Sequence, residues 1–324
     1  MDKMTVVLDK REMGLSLDGK SLRIDCPDAP VQRVPLGMVG QVIVYGNPMV
    51  GCSVWRKLSE MGIPALLLPG RGPGEPAWIG PGLSTAVMVR IAQFRAWSDT
   101  AIKSRAVVWL LKEKFNGTIR LAQTLEQGTG SLQESLLLLD ETLSIDTLRG
   151  IEGAGAREWF GILADLLDTA WQFSGRNRRP PRDPVNALLS LGYTLLVSEV
   201  RKAVHARGLD PCIGFLHDPY PGRDSLVLDL TEPLRPGVDA FVLGLVEETL
   251  TPEDFTTGQQ EGCRLSKEAR GIFYGAWEEW KQNWPMAPAL DDRQENFPTL
   301  SFVCRNLVET FVRSWGVPDT ESTL

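Results

Sequence analysis

The sequence is poor in the residues that most often build metal centres and disulfide frameworks. Only two histidines occur among its 324 residues, and its five cysteines are scattered with no Cys-x-x-Cys pair. This distribution indicates neither a thiolate zinc site nor a disulfide framework. The chain also lacks any run of about 18 apolar residues, which a membrane-spanning helix would need. Its hydrophobic content of 43% is ordinary for a globular protein and rules out disorder as the main state.

Positive charge is in short supply as well. Lys and Arg number 34 against 41 Asp and Glu, which gives a net charge of −7. The surface as a whole therefore cannot attract nucleic acid, and any anion-binding face must be local. Residues 1–9 (MDKMTVVLD) are too short and too acidic for a signal peptide. These features predict a cytoplasmic protein.

Two regions of different character follow each other along the chain. Residues 5–24 alternate short apolar segments with Asp-Lys-Arg and Asp-Gly-Lys breaks, which is typical of consecutive hairpins. Residues 70–81 are dense in Gly and Pro, which interrupt helices and central strands. Beyond residue 84, apolar residues recur at three- and four-residue spacing, the period of amphipathic helices. The sequence predicts an α+β protein: a small N-terminal antiparallel β-sheet domain over 1–80, a linker at about 70–83 and a larger, mainly α-helical domain over 84–324.

Three acidic residues and one histidine are the candidates for chemistry. His217 follows an apolar segment and precedes a turn rich in Pro and Gly, where a buried segment reaches the surface. Asp229 and Glu232 are three residues apart, a spacing that puts both on one face of a helix. Glu152 lies in a glycine-rich segment before a long apolar helical stripe. Carboxylates with one imidazole favour Mn²⁺ or Mg²⁺, and such ions serve chemistry at phosphate.

Each of these residues also has a plain structural interpretation. Pro233 is tolerated in a first helical turn, so a helix is expected to begin near Asp229, whose side chain could then be a cap. Glu152 could be a first-turn acid that the helix dipole favours. The other histidine, His205, is expected to interact with the dipole at a helix end.

A basic segment stands out on this acidic chain. Arg176, Arg178, Arg179 and Arg182 lie in a loop that two prolines keep non-helical. Guanidinium groups bind phosphate oxygens in pairs of hydrogen bonds, so the loop is a candidate DNA-backbone contact. A solvated linker between helices is the alternative.

Four segments together resemble a known family. They are 150–157 (GIEGAGAR), 180–193 (PPRDPVNALLSLGY), 208–217 (GLDPCIGFLH) and 228–239 (LDLTEPLRPGVD). Their order and spacing resemble CRISPR-associated protein 1, the integrase that inserts new spacers into CRISPR arrays. With a β-rich N-terminal region and a helical remainder of the expected lengths, the resemblance covers essentially the whole chain.

The resemblance implies roles for the matching positions. Glu152, His217 and Glu232 match the metal ligands, and Asp229 matches an acid close to the metal and the DNA. Asn186 matches a position on a helix that lines and supports the site. At residues 116–117 the chain has Asn-Gly where many members have Asn-Gln, which leaves the role of that helix open.

The resemblance also implies a reaction and partners. A prespacer 3′-OH attacks a phosphodiester at a boundary of the CRISPR leader-repeat, and the repeat's own 3′-oxygen leaves, with Mg²⁺ or Mn²⁺ as cofactor. Members are homodimers joined through the N-terminal sheet domain, and two dimers flank a dimer of CRISPR-associated protein 2. CRISPR-associated protein 4 is a further candidate partner. The alternatives are a nuclease of branched or single-stranded DNA that does not integrate, and a non-catalytic DNA-binding assembly subunit.

Overall fold

Strands fill the first part of the chain, and helices fill most of the rest. The computed structural model describes residues 3–10, 12–27, 29–70, 76–80, 87–177, 180–258, 262–285 and 298–315. The chain divides into two units, Met1–Gly82 and Leu83–Leu324. Among the described residues, no helix is both long and apolar enough to cross a membrane. The predicted α+β fold class is confirmed.

In its described residues, the N-terminal unit has two four-stranded sheets and one α-helix. One sheet has the strand order β1-β5-β7-β8 and the other β4-β3-β2-β6. The elements are β1 (Met4–Leu8), β2 (Gly14–Asp18), β3 (Ser21–Cys26), β4 (Ala29–Pro35), β5 (Val39–Tyr45), β6 (Met49–Val50), α1 (Cys52–Glu60), β7 (Ala65–Leu68) and β8 (Ala77–Ile79). Apolar side chains of both sheets and of α1, such as Leu8, Leu22 and Leu58, form one buried core.

The sheets are mixed, so the prediction of a purely antiparallel domain was wrong in this detail. β2 and β3 do form the expected antiparallel hairpin, with Gly19 at a φ of +58° in its turn, a conformation that favours glycine. β1, however, pairs in parallel with β5, and β5 in parallel with β7. Between β1 and β5 the chain forms β2, β3 and β4 of the other sheet, and between β5 and β7 it forms β6 and α1. Parallel neighbours need such long connections, and local alternation does not reveal them.

The second unit is mainly helical and supplies the candidate site. Its elements are α2 (Val87–Ser98), α3 (Thr100–Thr124), α4 (Gly130–Leu137), α5 (Ile145–Leu166), α6 (Pro184–Arg207), α7 (Ser225–Thr231), α8 (Arg235–Glu248), β9 (Phe255–Gly258), β10 (Gly262–Leu265), α9 (Lys267–Trp280) and α10 (Leu300–Arg313). Asp99 caps α3, Ser144 caps α5 and Asp183 caps α6, each through a side-chain oxygen that accepts backbone N–H groups. Such caps satisfy donors that a helix start leaves open.

A glycine lets α3 and α5 approach each other closely. A Cβ atom built on Gly155 of α5 would lie 2.2 Å from Cε1 of Phe115 on α3. Phe115 is buried and packs into the space that the glycine leaves open. Lys114 precedes Phe115 on α3, and Glu152 lies one turn before Gly155 on α5. The small residue therefore brings a lysine and a glutamate of two helices together.

Candidate active site

Two of the predicted ligands, Glu152 and Glu232, meet on a single lysine. Glu152 lies within α5, and Glu232 lies at the start of a 3₁₀ turn, Glu232–Leu234, between α7 and α8. The Lys114 ammonium donates one hydrogen bond to Glu152 Oε1 and one, of 2.6 Å, to Glu232 Oε2. The side chain of Glu232 is 5% exposed and that of Lys114 13%, whereas that of Glu152 is 25% exposed. The paired carboxylates are thus at the edge of the protein interior.

A second cation, Arg235, completes a balanced set of charges. Its Nε atom lies 2.9 Å from Glu232 Oε2, and its guanidinium lies over the ring of Tyr193, 4.6 Å from the ring centre. Burial alone would raise the pKa of Glu232, but Arg235, Lys114 and, to a smaller extent, His217 lower it to about 2. Burial likewise opposes the charge on Lys114, yet Glu232 and Glu152 hold the pKa of that ammonium above its usual value. Glu232 and Lys114 are therefore both charged at neutral pH.

His217 is held in place by Asp229. Asp229 is fully buried, and its Oδ1 lies 2.7 Å from His217 Nδ1. The same carboxylate accepts backbone N–H groups from Phe215, Leu216 and His217. A carboxylate accepts this bond when the proton is on Nδ1, which leaves Nε2 as the ring atom available to a metal or substrate. Asp229 is thus the residue that orients His217.

Hydrogen bonds from Arg149 of α5 hold the loop that carries His217. Arg149, one turn before Glu152, donates from Nε to the Leu216 carbonyl at 2.7 Å and from Nη2 to Asp218 Oδ2 at 2.6 Å. Within the loop, a Cβ atom on Gly214 would lie 2.3 Å from the carbonyl oxygen of His217, so the tight path requires glycine. These contacts fix the backbone of His217 relative to the helix that supplies Glu152.

A buried hydrogen-bonded group stands behind the charged residues. Asp239 accepts hydrogen bonds from Trp159 Nε1, at 2.8 Å, and from the Tyr193 hydroxyl. Burial raises the pKa of Asp239. Burial and the neighbouring Asp239 together raise the pKa of Tyr193 well above its usual value. Because Arg235 packs on the Tyr193 ring, this group supports the cation that contacts Glu232.

The donor set fits a hard divalent ion. The site offers two carboxylates, which such ions prefer, and an imidazole braced by a carboxylate. Among the residues that the structure describes, no three side chains of His, Cys, Asp or Glu lie together in a metal-holding group. In place of such a group, a cation of the protein itself, Lys114, contacts both glutamates.

Sequence reasoning missed Lys114 and misplaced the helix starts. The 116–117 departure left the role of this helix, α3, open, yet α3 supplies the lysine that joins the two carboxylates. α7 begins at Ser225, so the expected helix start near Asp229 was wrong, and Asp229 caps the 215–217 backbone instead. Glu152 lies well beyond the first turn of α5, so its interpretation as a first-turn acid was also wrong.

The arginine loop is partly described. Arg178 and Arg179 lie outside the described residues. Arg176 donates to Asn186 Oδ1 at 2.7 Å and to Ser190 Oγ at 3.1 Å, and Asn186 is buried and hydrogen-bonds the loop at several points. Arg176 thus has a structural role in addition to the predicted DNA contact. That contact stays a prediction for the whole loop, including the exposed Arg182.

The structure brings Glu152 and Glu232 together with two cations, and it holds His217 separately, against Asp229. Carboxylates, a braced imidazole and strong cations are the side chains used by enzymes that act on phosphodiesters. A family model described as "CRISPR associated protein Cas1" matches residues 6–279. "CRISPR-associated endonuclease Cas1 2" of Rhodospirillum rubrum is 35% identical over 307 residues, which covers 89% of each chain. The chain belongs to the Cas1 family, and the predicted family is confirmed.

Solved structures share the fold across nearly all of the chain. A CAS1 protein from Thermotoga maritima has a TM-score of 0.85 at 21% identity, over 97% of this chain and 98% of the other. A casposase bound to its integration product has a TM-score of 0.82 at 21% identity, over 100% of this chain and 96% of the other. The architecture described above is therefore that of Cas1 proteins and a casposase.

Proposed function

We propose that the chain is a metal-dependent DNA integrase of CRISPR adaptation, which joins prespacer 3′-OH ends to the CRISPR repeat by transesterification and also has endonuclease activity. The observation that carries the proposal is the meeting of Glu152 and Glu232 on one cation, in the unit that also holds His217 against Asp229. The casposase of similar fold, which was solved with an integration product, and the endonuclease name of the relative from Rhodospirillum rubrum support the same chemistry.

Glu152, Glu232 and Nε2 of His217 would hold the Mg²⁺ or Mn²⁺ ion. When bound, such an ion neutralises non-bridging phosphate oxygens and favours deprotonation of the attacking hydroxyl. Asp229 contributes by holding the proton of His217 on Nδ1. Each joining step forms one P–O bond to the prespacer and breaks one P–O bond in the repeat, and the departing 3′-oxygen takes up a proton. The number of phosphodiester bonds is unchanged, so the reaction requires no ATP.

The chain's own cations are suited to an anionic substrate. Lys114 and Arg235 lie beside the carboxylates, and their side chains carry hydrogen-bond donors and no acceptor. Phosphodiester oxygens are acceptors that bind such groups well. The acidic chain thus has two cationic side chains at the place where DNA would react.

The proposed partners are DNA, a second copy of the chain and a Cas2 dimer. A Cas6-RT-Cas1–Cas2 complex and a TtCas1–DNA complex contain chains of similar fold, which supports the first and last of these. We assign dimer formation to the N-terminal unit, and we keep a Cas4 protein as a candidate partner and the cytoplasm as the location.

A joining assay tests the proposed reaction. A labelled duplex with free 3′-OH ends is incubated with a supercoiled plasmid carrying a repeat, in Mn²⁺ or Mg²⁺, with and without Cas2. Wild type is expected to attach label covalently to the plasmid, and Glu152→Ala and His217→Ala are expected to lose joining while they remain folded. Glu158→Ala, an exposed glutamate on the same helix, is the control and should join normally.

The same assay separates the alternatives. Nicked plasmid without attached label would replace the integrase proposal by a nuclease that uses water as nucleophile. Joining that survives Glu152→Ala and His217→Ala would contradict the assignment of the site. Folded proteins that neither join nor nick would favour the assembly subunit.

A further inference from the structure

We infer that Lys114 is a displaceable counter-cation: its ammonium occupies the place between Glu152 and Glu232 until a divalent ion takes that place. The inference rests on the proposed function, because it assumes that the two glutamates bind a metal. It gives a role to Lys114, which is outside the predicted ligand set.

The position of the ammonium is the first reason. One Nζ atom contacts both glutamates, Glu232 through Oε2 at 2.6 Å and Glu152 through Oε1. The backbone of Lys114 is fixed, because α3 is packed through Phe115 at Gly155. A metal ion held by both glutamates would need oxygens that this ammonium now contacts. Lys114 and the ion therefore compete for the same carboxylates.

The balance of charge is the second reason. Glu152 and Glu232 carry two negative charges, and Lys114 and Arg235 carry two positive charges, so the set is neutral without a metal. Addition of a divalent ion with Lys114 in place would leave an excess of two positive charges in a partly buried site, which is costly. Withdrawal of Lys114 from the carboxylates relieves part of this excess and leaves a free ammonium beside the ion.

The nature of the two cations shows which of them can leave. Arg235 is fixed by its contact with Glu232, three residues away, and by its position over the Tyr193 ring. Lys114 carries a compact charge on a flexible four-carbon side chain, and Glu152, one of its two partners, is 25% exposed. Lys114 can thus turn towards the solvent side of the site, where a phosphodiester would supply a new anionic partner.

Mn²⁺ affinity, measured without DNA, tests the inference. Calorimetric titration with Mn²⁺ is compared between wild type, Lys114→Met and Lys112→Met, the last being an exposed lysine of the same helix. In wild type, Mn²⁺ must displace an ammonium that makes two charge-assisted hydrogen bonds, and hydration of the released ammonium offsets part of that cost. Removal of the ammonium is therefore expected to tighten Mn²⁺ binding by about tenfold. Lys112→Met should bind as wild type does, and Lys114→Arg, which keeps the charge, should stay close to wild type.

Thermal unfolding provides a second readout. Without a counter-cation, Lys114→Met is expected to unfold at a lower temperature in EDTA and to gain more from Mn²⁺ than wild type does. If Lys114→Met does not fold in EDTA, Lys114→Gln keeps a hydrogen-bond donor without the charge and takes its place in both measurements.

The outcomes distinguish the inference from the proposed function. Equal or weaker Mn²⁺ binding by a folded Lys114→Met or Lys114→Gln protein overturns the displaceable counter-cation and leaves the metal site standing. A lack of saturable Mn²⁺ binding in wild type and in every variant overturns the metal site, and the inference with it.

Discussion

Replacement of Asp229 by alanine should destabilise the protein strongly, because this buried carboxylate accepts hydrogen bonds from four donors. Asp229 accepts hydrogen bonds from three backbone N–H groups, of Phe215, Leu216 and His217, and from the ring of His217. Its side chain is 0% exposed, and the donors of Phe215 and Leu216 lie in buried residues. In Asp229→Ala these donors lose their common acceptor.

The size of the effect follows from these bonds. A buried donor left without a partner costs about 1–3 kcal/mol, but loop relaxation and entry of water reduce the sum over several donors. A total of about 3–5 kcal/mol is expected, as for removal of one partner from a buried pair. Since domains are stable by about 5–15 kcal/mol, the variant should remain folded at low temperature with a disordered His217 loop.

Urea denaturation, followed by tryptophan fluorescence, measures the loss. Asp218→Ala is the matched control, because Asp218 lies in the same loop with its side chain 62% exposed in an ion pair with Arg149, and such pairs are worth less than about 1 kcal/mol. The reasoning would be refuted by an Asp229→Ala protein that loses less than about 1 kcal/mol, or no more than Asp218→Ala loses.

Two further predictions concern the charged set and the helix contact beneath it. The pKa of Glu232 is about 2 in the folded protein against an ordinary 4.5, so its contribution to stability is present above about pH 4.5 and is lost as the pH falls towards 2. Urea unfolding at a series of pH values should show this loss in wild type, and Glu232→Gln should flatten that part of the profile; equal slopes would contradict the assignment. Gly155→Ala should cost about 1–3 kcal/mol in urea unfolding because its methyl group meets Phe115, whereas Gly153→Ala, which meets nothing within 4 Å, should gain up to about 1 kcal/mol from helix propensity. Equal changes at the two glycines would show that Gly155 is not needed for the contact between α3 and α5.

The order of elements could be predicted from the sequence because periodicity is a local property. Strands before residue 80 and helices beyond 84 follow from alternation and from three- and four-residue spacing. The pairing of β1 with β5 could not be predicted in this way, because the alternation of a strand says which face is buried and nothing about its partner.

The residues of the candidate site likewise include some that the sequence predicts and some that it does not. Glu152, His217 and Glu232 could be named as candidates because His217 is one of two histidines and all three stand in segments that resemble a known family. Lys114 could not, since a lysine in an amphipathic helix is ordinary and its partners lie far away in sequence. The role of Asp229 was hidden for another reason: three of its four donors are backbone N–H groups, which carry no signal in the amino-acid sequence.

The most direct test of the account is a crystal structure of the chain grown with Mn²⁺ and measured at a wavelength where manganese scatters anomalously. The account predicts one anomalous peak in contact with carboxylate oxygens of Glu152 and Glu232 and with Nε2 of His217, and a Lys114 ammonium that has left the space between the glutamates. A peak elsewhere, or an unchanged Lys114 with no peak at these three side chains under saturating Mn²⁺, would contradict it.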